Sequence, residues 1–174
     1  MNRIDKTFKN LKKENKKAFI SFLTAGYPTI EKFEELIDYK IQNGVDIIEI
    51  GIPFSDPLAD GPTIQDASTH VLKNGLKLKD IFDSVKKIRA KSNIPLVFMT
   101  YYNIIFNYGI NEFIEKSKEI GIDGLIIPDL PFEEEKEISK YLDDDKIHLI
   151  PLLSPTSKNR SKNILKNKKG FVYY

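Results

Sequence analysis

Six short runs of almost unbroken apolar residues punctuate this chain, and they restrict its fold more than any other feature. They read "AFISFLTAG" (18–26), "DIIEIGIP" (46–53), "PLVFMTYY" (95–102), "GLIIPDLP" (124–131), "HLIPLLSP" (148–155) and "FVYY" (171–174). Most are apolar at nearly every position instead of alternating, which is the pattern of parallel strands buried on both faces. Charged segments with helical spacing lie between them. Phe33, Leu36 and Ile37 share a face before the Gly44 stop; Ile81, Val85 and Ile88 do so after Leu78; Phe113, Ile114, Ser117 and Ile120 do so before Gly121. A leading segment with Ile4, Phe8 and Leu11 at helical spacing is expected to cover one end of the sheet.

Run onsets fall 23 to 29 residues apart, except for a 49-residue gap between the second and third. That gap holds an acidic loop and two helical pieces, "TIQDASTHVLKNG" and "KLKDIFDSVKKIRAKS". Strand, helix, strand in strict alternation predicts an α/β fold whose parallel sheet has right-handed crossovers. An open doubly wound sheet would carry a Gly-rich phosphate turn after its first strand, but "TAGYPT" has one glycine and a proline. Residues able to do chemistry instead end several strands: Glu49 and Asp60, Tyr101 with Tyr102 and Asn103, Asp129, and Ser154. One site supplied from many strand ends is the pattern of a (β/α)8 TIM barrel. A complete barrel has eight strands and typically about 250 residues. Residues 1–174, with about six strands, are therefore expected to form a single incomplete barrel domain that lacks strands 7 and 8 and their phosphate-binding loops.

Composition removes several other classes. The 174 residues are 41% hydrophobic and 30% charged, with a net charge of +2, as in a globular domain. The basic residues are nearly all lysine, the arginines being Arg3, Arg89 and Arg160, which disfavours a dedicated nucleic-acid binder. The acid-free run from Lys158 to Lys169 reads as a solvated helix face balanced by "EEEKE" (133–137) and "DDD" (143–145). Without cysteine there is no disulfide framework or thiolate metal site, and His70 and His148 lack metal-ligand spacing. No stretch approaches the roughly 18–20 apolar residues of a membrane span, and the charged N-terminus lacks a secretory core. A cytoplasmic location without membrane or nucleic-acid partners is the expectation.

The most telling ionisable residue is Glu49, set among Ile47, Ile48, Ile50 and Ile52. A carboxylate committed to a buried strand either finds a partner or has a raised pKa, and one poised near neutrality can both give and take a proton. Two readings stand: a catalytic acid/base, or a glutamate anchored to a lysine or to backbone amides. Asp60, before Gly61-Pro62 in a proline-stiffened loop, fits either a second carboxylate that stays ionised or an N-cap for a helix beginning near Thr63. Asp56, in the same loop, suits positioning or partner contact.

The run "IEIGIPFSDPLADGPTIQDAS", with "FLTAGYPT" before it and "VFMTYYNIIFNYG" and "GLIIPDLPFEE" after, resembles the tryptophan synthase α subunit family in motif, order and spacing from about Ala18 onward. The resemblance implies a TIM barrel that cleaves indole-3-glycerol phosphate to indole and glyceraldehyde 3-phosphate. It implies an α2β2 complex with a β subunit that holds pyridoxal phosphate, the α chain itself using no cofactor. It places the general acid/base at Glu49 and the second catalytic carboxylate at Asp60. It places substrate contacts at Phe22, Met99, Tyr101, Leu152 and Tyr173, and a β-subunit contact at Asp56. Core packing is the alternative role for Phe22 and Leu152. Tyr102 and Pro128 depart from the small residue and the alanine usual in the family. Without the phosphate loops, little activity is expected of residues 1–174 alone. An aldolase using a Schiff-base lysine is disfavoured because no lysine lies in the six runs; a module that only activates a β subunit stays open.

Overall fold

An alternation hidden by the apolar runs organises the sheet. The computed structural model describes residues 1–174 apart from Leu58, Asp143, Asp144 and Asn159. Among the described residues the sheet has five strands: β1 (Ile20–Thr24), β2 (Ile47–Gly51), β3 (Leu96–Met99), β4 (Gly124–Ile126) and β5 (His148–Leu149). All pair in parallel, in chain order. One row of register partners runs Phe22, Glu49, Val97, Gly124, His148, and the row above it runs Thr24, Gly51, Met99, Ile126.

Successive strand residues point to opposite faces, and both faces find apolar cover. Ile48, Ile50, Leu96, Phe98, Leu125 and Ile127 pack outward against the helices in one large core. Ile47, Val97, Ile126 and Ile150 face inward and pack with Ile4, joined by Phe8, Ile20, Met99, Leu152 and Phe171. The sheet is thus the wall of a partial barrel, with the inner cluster as its filling.

The helices follow the expected order: α1 (Arg3–Lys13), α2 (Ile30–Gln42), α3 (Pro62–Lys73), α4 (Leu78–Lys91), α5 (Tyr102–Tyr108), α6 (Ile110–Ile120), α7 (Lys136–Ser139) and α8 (Ser161–Ile164). Local signals start and stop them. The Asn2 side chain caps α1 by accepting from Ile4 N–H at 2.8 Å, Pro62 opens α3, and Gly121 ends α6 in the left-handed conformation. α1 plugs the N-terminal end of the barrel. A Cβ on Gly124 would sit 3.1 Å from Ile4 Cδ1, so the bare strand start admits the plug. Asn2 Nδ2 donates to the Asp123 and Lys146 carbonyls, both at 2.8 Å, and His148 Nε2 lies 2.9 Å from Asp5 Oδ2. Buried Asp123 accepts from Arg3 at 2.9 Å, Arg89 at 3.0 Å and Leu96 N–H at 2.9 Å, tying α1, α4 and the foot of β3 to β4.

Three expectations need correction. The sixth run forms no strand of the sheet: it adds one parallel bridge, Leu152 to Tyr173, with Leu153 N–H donating to Tyr173 O at 2.8 Å. Pro151 and Pro155 interrupt the neighbouring run, leaving too few donors for a longer ladder. Leu36 is 38% exposed while Phe33 and Ile37 are fully buried, because the buried stripe of α2 follows the i, i+4 row. The stretch after β3 coils into α5, whose first amide, Tyr102 N–H, is capped from outside by Asp129 Oδ1 at 2.8 Å. The basic tail is tied to its acidic counterparts: Arg160 grips Glu133 at 2.5 and 2.7 Å, Lys168 pairs with Glu135, and Lys169 lies 3.7 Å from Asp145. Asp143 and Asp144 of that acidic run lie outside the described residues.

Candidate active site

β2 turns Glu49 to the same face as Ile47, into the barrel interior, two residues before the strand ends. Only 6% of Glu49 is exposed, and burial pushes its carboxyl pKa above the ordinary 4.5. Among the described residues, no lysine, arginine or backbone amide makes a hydrogen bond or ion pair with its carboxylate. The anchored alternative therefore lacks its anchor. A carboxyl group so placed favours its neutral, proton-carrying form.

Asp60, past the end of β2, lies within hydrogen-bonding reach of the Tyr101 hydroxyl. Helix α3 opens with Pro62, so its N-cap is Gly61, which has no side chain to cap it. Asp60 instead offers its backbone carbonyl to Gln65 Nε2 at 2.8 Å, leaving the carboxylate uncommitted to the helix. Burial raises the Asp60 pKa, and the neighbouring Tyr101 hydroxyl pulls it partly back. Both carboxyl groups are thus pushed the same way, with the hydroxyl acting on Asp60 alone.

Tyr101, 5% exposed at the end of β3, holds the loop. Ala59 N–H donates to its hydroxyl oxygen at 3.0 Å, and its ring lies against Phe54 with centroids 5.1 Å apart. Its own pKa is raised by burial first, with Asp60 and Asp129 adding to the shift. The sequence marks Tyr101 as a ring contact; its role in fixing the residue next to Asp60 has no local signal, since the partners are 42 positions apart.

The other expected residues also face this region. Phe22 is the register partner of Glu49, and Met99 that of Gly51. Leu152 packs on the inner cluster; a cavity of about 290 Å³ that it lines with Ile127, Pro128 and Ser154 includes neither Glu49 nor Asp60. Tyr173 is 39% exposed; burial raises its pKa first, then the charges of Glu49 and Asp60, so both carboxyl groups lie within electrostatic reach of Tyr173. Asp56 stands apart: it is exposed on the loop, and the Ser55 hydroxyl donates to it at 2.5 Å. Tyr102 is half-buried at the start of α5, while Asn103 and Ser154 are exposed. Among the described residues there is no cluster of His, Cys, Asp or Glu able to hold a metal ion, and no helix long and apolar enough to cross a membrane.

Comparison with known proteins agrees over nearly the whole chain. A family model described as tryptophan synthase alpha chain matches residues 8–174. A tryptophan synthase alpha chain from Caldanaerobacter subterraneus subsp. tengcongensis is 57% identical over 173 residues, and one from Clostridium acetobutylicum 48% over 172; each alignment covers 99% of this chain. The chain spans 66% of the length of the first of these relatives and 65% of the second. A Legionella pneumophila tryptophan synthase alpha chain superposes with a TM-score of 0.93 at 36% identity, covering all of this chain and 66% of its own. A chain of the tryptophan synthase α2β2 complex from Pyrococcus furiosus gives 0.83 at 37% identity, covering 90% of this chain and 63% of its own.

Proposed function

Because this chain belongs to the tryptophan synthase alpha chain family, we propose that its paired carboxyl groups serve the retro-aldol cleavage of indole-3-glycerol phosphate to indole and glyceraldehyde 3-phosphate. That lyase step belongs to the last stage of tryptophan biosynthesis, in the cytoplasm. Residues 1–174 act as one partial barrel unit of the catalytic subunit.

Glu49 is the general acid/base. Starting protonated, it delivers its proton to indole C3, making that ring a leaving group. As a carboxylate it then accepts the proton of the glycerol hydroxyl next to the breaking bond, whose oxygen becomes the aldehyde carbonyl. The carbon–carbon electron pair stays with the indole, and Glu49 ends in the form in which it began. Asp60, as carboxylate, accepts from the ring N–H and offsets the positive charge that grows on that nitrogen. Phe22, Met99, Tyr101 and Leu152 form the walls for the flat ring, and Tyr173 stands beside the acid/base. Exposed Asp56 meets the β subunit, which carries the pyridoxal phosphate in an α2β2 complex; this chain needs no cofactor of its own.

One observation carries the reading: a buried inward carboxyl group with no partner among the described residues, and a second carboxyl group free of its helix, both within electrostatic reach of Tyr173. The test is a single turnover with protein in excess over indole-3-glycerol phosphate, following indole. We expect slow indole formation that Glu49→Gln lowers by about 10²–10⁴-fold, the usual worth of a positioned acid/base. Indole formed equally fast by Glu49→Gln would overturn the mechanism.

A further inference from the structure

Positive φ accounts for six glycines of the described chain, where a side chain would be strained. Gly51 is not one of them; it closes β2 in ordinary strand backbone. Its lack of a side chain serves space instead of torsion. A Cβ built there would lie 2.4 Å from Phe22 Cζ and 2.6 Å from Cε2, more than about 1 Å inside normal carbon contact.

The register explains the collision. Phe22 pairs with Glu49, one rung below Gly51, and its ring leans along the strand until it covers the bare end of β2. Phe22 is only partly buried, so the ring keeps surface free towards the interior. On the far side, the register partner of Gly51 is Met99, another inward residue. The ring therefore lies back against the wall on the mouth side of Glu49.

We infer that Gly51 sets the room for a flat aromatic ring above Glu49, because its bare Cα lets Phe22 recess against β2, and any side chain there drives Phe22 into the substrate's place. Gly51 is thus a positioning residue acting through Phe22. The identity of the aromatic ligand rests on the function proposed above; the recess does not.

Indole alone is the probe, with the protein in solution. In NMR spectra of the wild type, the Gly51 α protons are expected to show NOEs to the Phe22 ring, and bound indole to show NOEs to Phe22. Gly51→Ala is expected to weaken indole binding by on the order of 10-fold, as one intruding methyl group does in an apolar pocket. Phe22→Leu removes the colliding ring atoms together with an indole contact, so it lowers affinity by itself; Gly51→Ala added to Phe22→Leu is expected to cost little further affinity, with circular dichroism confirming the fold. If Gly51→Ala alone fails to fold, the wild-type NOEs and the double variant decide. Wild-type affinity in a folded Gly51→Ala, an equal loss from Gly51→Ala with or without Phe22→Leu, or bound indole without NOEs to Phe22 would each overturn the inference. Intact NOEs without Glu49-dependent cleavage would sink the proposed reaction and leave this inference standing; cleavage without the NOEs would do the reverse.

Discussion

Tyr101→Phe separates two jobs that one side chain performs. The substitution keeps the ring packed on Phe54 and removes only the hydroxyl that accepts from Ala59 N–H at 3.0 Å. Ala59 is exposed, so water replaces the lost acceptor and the cost stays near that of one neutral hydrogen bond, about 1 kcal/mol. A loop loosened by that much opens about fivefold more often. Native-state hydrogen exchange reads this directly: the Ala59 amide should lose about fivefold in protection, while Ile50 and Phe98 in the strands keep theirs. The same hydroxyl lowers the Asp60 pKa, so carboxyl NMR should find Asp60 titrating higher in the variant. Fewer molecules then carry the ionised Asp60 at a given pH, and single-turnover cleavage should fall even though the ring contact survives. Unchanged protection at Ala59, or protection lost equally throughout the core, would refute the idea that Tyr101 fastens this loop.

Glu49→Gln should gain stability on the wild type as pH rises. With a folded pKa above the ordinary 4.5, the wild-type group stabilises fully below about that pH and loses its contribution as pH climbs through the folded value, which urea titrations between pH 4 and 8 would trace. Asp123→Asn should cost about 3–5 kcal/mol in urea unfolding, because Arg89 is left buried without its carboxylate. Burial favours the neutral form of Asp123, but two guanidinium groups and an amide donate to it, and we read it as ionised. Among the described residues the buried Ser84 and Ser117 hydroxyls have no hydrogen-bond partner, so Ser84→Ala and Ser117→Ala should leave Tm unchanged or raise it.

The strands were legible because both their faces are buried, and the same fact hid which residues face inward: Ile47, Ile48 and Ile50 look alike in sequence. Glu49 stood out for the opposite reason, a single ionisable residue in an apolar run. The freedom of Asp60 was not legible, since an acidic residue just before a helix reads as its cap; only the structure shows that Pro62 shifts that cap to Gly61. Helix α5 escaped because "YNIIFNY" has no clear polar face, and its capping acceptor, Asp129, lies 27 positions away. Gly51 escaped for a similar reason. Nothing local distinguishes a glycine that bends the chain from one that yields its space to a ring on the next strand.

Every strand of this sheet pairs with the one made just before it, yet α1 is fastened to residues 120 to 144 positions further along. During synthesis the sheet can therefore grow strand by strand while the first helix has nowhere to dock. At about 5–20 residues per second, α1 waits on the order of ten seconds before Asp123, Lys146 and His148 emerge. A helix made ahead of all five strands is seated only after the fifth has emerged, and until then the inner faces of the early strands stay open to whatever chaperone or neighbour reaches them.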